Sequence, residues 1–301
     1  MDLVPRVTQV LDHPMGDQSI FPTYLLSLFA RRDVKVALGG DGSDELLMGY
    51  RAYKPLKVAW MLDRFPALVR TTLASAARRV PRFVGGHIVR GVRFLSQLDQ
   101  SPVRRHLSTL GSYRGDAQWV LSDAVRANLD DRPFIPVNEL LSDAVSGSPD
   151  KQTVISYMRA YLQEDILVKV DRASMAASLE VRAPFLDECV MEFLLAAPTT
   201  AKLRRFTGKR LLRQLMRGKI PDEIIDRNKM GFGVPLGTWM RGALAPLVQE
   251  YLSGARLRPA GIFDAKAVEQ MVSDHLSGRR DRGKELWLLL QFELWRERWL
   301  E

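Results

Sequence analysis

Val36-Ala-Leu-Gly-Gly-Asp-Gly-Ser-Asp-Glu45, or VALGGDGSDE, holds three glycines and three carboxylates in its last seven residues. The apolar run Val34–Leu38 leads into it and LLMGY follows, the pattern of a strand, a glycine turn and a helix. Turns of this kind usually receive phosphate, because backbone N–H groups at the start of the helix attract anions. Two phosphate fingerprints are excluded. Glu45 stands where the dinucleotide motif needs its third glycine, and no lysine follows Gly42 as a Walker loop requires. TGKR at 207–210 has Gly-Lys but lacks the upstream glycine and the hydroxyl. A bare phosphate would be repelled by Asp41, Asp44 and Glu45. A divalent cation removes the conflict, since Mg²⁺ is commonly held by one or two carboxylates and by the phosphates it accompanies. Asp44 is the expected ligand, with Asp41 or Glu45 near it. An acidic helix cap with no ligand remains the alternative, because carboxylates in a first turn also suit the helix dipole.

A strand that runs into such a turn belongs in a parallel sheet covered by helices, and a lone strand cannot satisfy its backbone groups. Its neighbours are short strands that the pattern hides, strands upstream of Met1, or strands of a second polypeptide. The rest reads as predominantly helical: 22–32, 56–80, 84–98, 116–129, 150–177, 187–196, 208–217, 239–252, 265–276 and 283–300, with Gly and Pro breakers between. The expected class is α/β, mostly helical, with an incomplete parallel sheet. In the last helix, Leu288, Phe292, Trp295 and Trp299 share one face that is expected to pack on the core.

Two further stretches concentrate charge. YLQEDILVKVDRASMAASLEVRAPFLD, residues 161–187, threads Asp165, Lys169, Asp171, Arg172, Glu180, Arg182 and Asp187 through an apolar frame. Groups buried there must pair or line a cavity. Arg182 is placed to hold a carboxylate or phosphate by a forked contact, and a salt-bridge network that fixes helix packing is the alternative. RNKMGFGVP, residues 227–235, sets Arg227 and Lys229 before a glycine-flexible turn, which suits a lid over a phosphorylated substrate or an ordinary connector.

Composition bounds the rest. The chain has 301 residues, 46% hydrophobic and 26% charged, with a net charge of +9. Its single cysteine, Cys189, excludes an intramolecular disulfide and is expected to be a small buried residue. No leader or membrane span is visible, and the expected location is cytoplasmic. Nine arginines lie between Arg64 and Arg105, read here as solvated helix faces in preference to a nucleic-acid surface. His13, His87, His106 and His275 stand singly, without metal-ligand spacing.

In this order, LDHPMGDQSIFPTYLLS, VALGGDGSDELLMGY, ILVKVDRASMAASLEVRAPFLD, GKRLLR and RNKMGFGVP resemble the synthetase domain of glutamine-dependent asparagine synthetases, with the match strongest over residues 1–240. The resemblance implies an ATP-pyrophosphatase-type domain of the adenine-nucleotide alpha-hydrolase kind at 1–240, with a helical extension at 241–301. It implies ATP and Mg²⁺ as cofactors and adenylation of the aspartate side chain. Ammonia from a glutaminase domain or subunit then displaces AMP. It places Asp44 beside magnesium pyrophosphate and Gly40, Gly42, Ser43 and Glu45 around the nucleotide. Asp41 falls where many members carry a glutamate that assists ammonia, and Lys229 falls on the phosphates. Asp171, Arg172 and Arg182 come to the aspartate side. The chain departs from the family in lacking the Ser-Gly-Gly-x-Asp-Ser loop and the glutaminase domain. Gly39 stands for a serine, and His13 for a glutamate. It is therefore expected to be the C-terminal portion of a longer or split enzyme, either free or in a homodimer. A relative that amidates another acid, and a non-catalytic partner subunit, are the competing expectations.

Overall fold

The computed structural model describes residues 3–80, 91–92, 94–101, 105, 117–129, 148–227 and 231–301. Among these the chain is mostly helical. It begins with α1 (Leu3–Thr8), α2 (Ile20–Ala30), strand β1 (Val36–Leu38), α3 (Ser43–Leu46), α4 (Tyr53–Leu62) and α5 (Ala67–Arg78). A 3₁₀ turn at Ala117–Val120 and α6 (Asp123–Leu129) follow. A continuous helical rod then runs through α7 (Pro149–Ser156), a π-helical stretch (Tyr157–Leu167) and α8 (Val168–Ala176). Strand β2 (Glu180–Arg182) leads to α9 (Glu188–Ala196), α10 (Thr199–Lys202), α11 (Arg210–Met216) and α12 (Asp222–Asp226). The C-terminal helices are α13 (Leu236–Arg241), α14 (Ala245–Tyr251), α15 (Gly254–Ala260), α16 (Ala265–Leu276) and α17 (Gly283–Trp299).

β1 has a neighbour within the chain. It pairs in parallel with β2, Val36 opposite Glu180 and Leu38 opposite Arg182. Bonds from Glu180 N to Lys35 O (3.0 Å) and from Gly39 N to Arg182 O (2.7 Å) extend the ladder at both ends. β2 was concealed because three residues are too few to show alternation. Among the described residues the sheet has these two strands, and Val36 and Leu38 are 49% and 76% exposed.

The largest apolar cluster joins α1, α2, α8 and α13 to α17, through residues such as Val7, Phe21, Ala173, Met240, Val268 and Trp287. The segments 1–240 and 241–301 thus share one core. A second cluster holds Met48, Tyr53, Leu56, Val154, Tyr157 and Leu203, and a third holds Leu46, Leu47 and Leu194. The acidic turn lies where the second and third meet.

Several expectations change. The helix expected over 56–80 is split by Pro66, which caps α5. That over 239–252 breaks at Gly242, between α13 and α14. Most of 84–98 lies outside the described residues. In α17 the deepest residues are Leu286, Trp287, Leu290 and Glu293; Leu288, Phe292 and Trp295 are half-buried and Trp299 is exposed. The helix is embedded on more than one face, so a single apolar stripe misplaces its contacts. Trp295 and Trp299 instead donate their indole N–H groups to the carbonyls of Asp12 and Leu11. Cys189 is exposed. It sits in the first turn of α9, where Asp187 caps the N–H groups of Cys189 and Val190 and the side chain faces out. Of the clustered arginines, Arg70 and Arg105 both hold Asp63, and Arg78 holds Asp99. His275 is a satisfied core residue, with Nε2 on Gly237 O and Nδ1 accepting from Arg282 N. No described helix is long and apolar enough to cross a membrane.

Candidate functional site

The turn forms because each glycine meets a different demand. Gly42 has φ +87°, and a Cβ there would overlap Leu186. Gly40 faces open space, with nothing within 4 Å of where its Cβ would stand. Ser43 Oγ donates to Gly40 O at 2.7 Å and closes the turn onto α3. The chain then reverses sharply. Met48 takes φ +55°, and Gly49 N reaches back to Asp44 O at 2.8 Å.

The three carboxylates part company here. Asp44 pairs with Lys209, Nζ to Oδ2 at 3.1 Å, while the same ammonium donates to Ser43 Oγ at 2.9 Å. Glu45 is buried, and its Oε1 accepts from Tyr50 OH at 2.5 Å. Burial pushes its pKa up even though the Tyr50 bond favours the anion. Tyr50 stacks on Tyr157 and meets Tyr161 edge-on, with centroids 5.1 and 5.6 Å away. Asp41 is also pushed up, by burial and by the nearby Asp44, with Lys169 acting against them.

Lys169 ties the turn to a second group of acids. Its buried Nζ donates to Asp17 Oδ2 at 2.6 Å, and Asp17 also accepts from Ser19 N and Oγ. Although burial opposes it, the Lys169 charge holds Asp17 below the usual carboxylate range. Asp165, on the π-helical stretch, is pushed up to about 6 by burial and by the Asp17 charge. These acids line a cleft of about 620 Å³, together with Asp12, Met15, Tyr161 and Trp287.

The structure thus keeps Gly40, Asp41, Gly42, Ser43, Asp44 and Glu45 in one bend, with Glu45 turned inward. Asp171 and Arg172 sit on the outer side of α8, where Arg172 holds Asp12 at 2.7 Å and Asp171 at 3.1 Å. Arg182 is mostly exposed and pairs with Glu180, while its backbone abuts Gly39. Lys229 lies outside the described residues. Lys209 carries the contact that sequence reasoning missed. TGKR enters the sequence reading only as a failed phosphate fingerprint and GKRLLR only as part of the family resemblance, and no local pattern brings residue 209 onto residue 44.

The donors at the turn are hard oxygens, carboxylate and hydroxyl, which suit Mg²⁺. No cluster of three or more His, Cys, Asp or Glu placed to hold a metal occurs among the described residues. That is compatible with a cation whose coordination is completed by water and phosphate. Asp44, with Asp41 beside it, is the pair that fits.

Comparison with known proteins adds the following. Residues 1–297 match the asparagine synthase family. The chain is 29% identical to a putative asparagine synthetase (glutamine-hydrolysing) of Mycobacterium tuberculosis strain H37Rv, over 97% of this chain and 44% of that protein. It is 27% identical to asparagine synthetase (glutamine-hydrolysing) 1 of Bacillus subtilis, over 98% of this chain and 45% of the relative. It is 24% identical to the amidase chyE of Penicillium rubens, over 79% and 38%. The chain therefore spans less than half the length of these curated relatives.

Proposed function

The chain belongs to the asparagine synthase family, and from that membership we propose that it supplies the pyrophosphate-handling part of an ATP-dependent, amide-forming ligase. The carboxylate of aspartate attacks the α-phosphorus of ATP, giving an acyl-adenylate and pyrophosphate. Ammonia from a glutaminase domain or subunit then forms the amide bond as AMP leaves.

Each residue has a derivable part. Asp44 would hold Mg²⁺, which when bound would withdraw charge from the phosphate oxygens. Gly40 leaves room for phosphate to approach the backbone. Lys209 and Lys229 offset the charge of the departing pyrophosphate. Asp41, whose proton affinity is raised by burial, accepts a proton from the attacking amine. Lys169 and Asp17 keep the floor of the turn ordered.

The carrying observation is the bend itself, in which an ammonium, a hydroxyl and two carboxylates converge at the C-terminal end of a parallel strand beside an open Gly40. Ligands of open α/β sheets bind at that end. Calorimetry of the full chain with Mg²⁺ and ATP should give heat and raise the melting temperature. Asp44→Ala should remove both, and substrate-dependent pyrophosphate release should fall about 10²–10³-fold. An unchanged titration for the variant refutes the assignment. No heat and no shift for the unaltered chain supports a non-catalytic partner instead.

A second reading is amidation of a different carboxylate, since the similarity extends to a protein whose name, amidase, specifies amide-bond chemistry and not aspartate. Pyrophosphate release driven by a sugar or peptide carboxylate, and not by aspartate, would select it.

A further inference from the structure

We propose that Lys209 is a placeholder for the divalent cation: its ammonium occupies Asp44 while the site holds no metal, and passes to the phosphate when the cation takes the carboxylate. This rests on the reading of the acidic turn given above.

The contact is costly to build. Lys209 is not glycine, yet it sits at φ +54°, ψ +31° as the residue preceding α11. Its N–H donates to Leu47 O at 2.8 Å. Gly208, just before it, abuts Met48 so closely that a Cβ would overlap the Met48 carbonyl. Met48 is itself left-handed at φ +55°. A Cβ at Gly49 would strike both the Asp44 carboxylate and the Lys209 stem. Met48–Gly49 and Gly208–Lys209 are thus interlocked around one ion pair. Left-handed backbone is disfavoured for residues other than glycine, and such strain gathers at functional sites. Strained backbone on both sides of one ion pair at the acidic turn points to a use for the ammonium beyond packing.

Its chemistry supplies the role. Ammonium is a compact charge with three donors that serves carboxylate and phosphate equally. A Mg²⁺-type ion binds a carboxylate oxygen at about 2.0–2.1 Å. It cannot take Asp44 Oδ2 without repelling an ammonium 3.1 Å from the same atom. The nearest new acceptor is the phosphate that arrives with the ion. Lys209 therefore opposes the cation alone and favours the cation with its phosphate.

The two effects have opposite signs, which makes them separable. The probe is Mn²⁺, counted free and bound by electron paramagnetic resonance on the full chain, with and without inorganic pyrophosphate. Lys209→Met should bind Mn²⁺ alone about fivefold more tightly, the release of a weak competing pair. With pyrophosphate it should bind about tenfold more weakly, the loss of a charge-assisted bond to phosphate. Lys209→Arg should keep the pyrophosphate-dependent affinity within a few-fold, and melting temperatures confirm that both variants fold. No change in either condition, or loss in both, overturns the placeholder role while leaving the turn's assignment intact, provided Asp44→Asn abolishes Mn²⁺ binding. If Asp44→Asn binds Mn²⁺ and pyrophosphate as the unaltered chain does, the reading of the turn fails and the proposal with it.

Discussion

Asp165 carries a carboxyl whose pKa is raised to about 6 by burial and by Asp17. Unfolding restores the ordinary value of 3.8. The folded state therefore binds the extra proton between these limits, and stability falls as pH rises from about 4 to 6, then stays lowered by about 2–3 kcal/mol above it. Asp165→Asn should accordingly raise the melting temperature at pH 8 and make no difference at pH 3.5. A gain that persists at pH 3.5 would place its cause outside the charge. Residues at this scale divide by sequence separation in how legible they were. Asp41 to Glu45 could be read directly, because three glycines and three acids in a row constrain one another locally. The pairs Lys209–Asp44 and Lys169–Asp17 could not. Each is closed across more than 150 residues by packing that no window of sequence contains. Lys169 was marked only as a charge that had to pair or line a cavity.

The rod from Pro149 to Ala176 shows what periodicity can and cannot reveal. Its extent matches the helix expected at 150–177, but eleven of its residues, Tyr157–Leu167, are wound as π-helix. In that winding, with i→i+5 bonds, residues four or five apart superpose, unlike the 3.6-residue α-repeat. Tyr157, Tyr161 and Asp165 then share a side, and the two tyrosines pack on Tyr50, whose hydroxyl holds Glu45. Hydrophobic spacing tuned to 3.6 residues assigns the rod but misorients this face. The loop before α11 is the other decisive element, since Gly208 lets it close on Met48. Gly208→Ala must push that carbonyl aside and should cost about 1–3 kcal/mol, the range for forced overpacking. Urea unfolding with an unchanged slope would measure it, and full stability in the variant would mean that the loop has slack the contact distances deny.

At the scale of the molecule, the ends of the chain meet. Thr8 bonds Gln291, the C-terminal tryptophans hold the carbonyls of Leu11 and Asp12, and Trp287 packs edge-on against Phe21 at 5.2 Å. Trp287 also lines the acidic cleft. Trp287→Ala should therefore cost about 3–5 kcal/mol, typical for a buried tryptophan, and loosen Asp17 as well as the core. Denaturant unfolding tests the first effect, and amide exchange at Ser19, whose N–H is held by Asp17, tests the second. The global helical class was legible because amphipathic segments and breakers are local. The union of both ends in one core was not, because apolar residues do not name their partners.

The two-stranded ladder has a mechanical corollary. Val36 and Leu38 stand largely in water on a sheet of two described strands, and such a ribbon is only marginally stiff. The acidic bend hangs from its end by the Gly39–Arg182 bond, so it inherits that compliance. A third row of hydrogen bonds laid along β1 would tighten the bend like a brace on a hinge. On the proposed function, the grip on a phosphate would thereby be adjustable from an edge that the phosphate never touches.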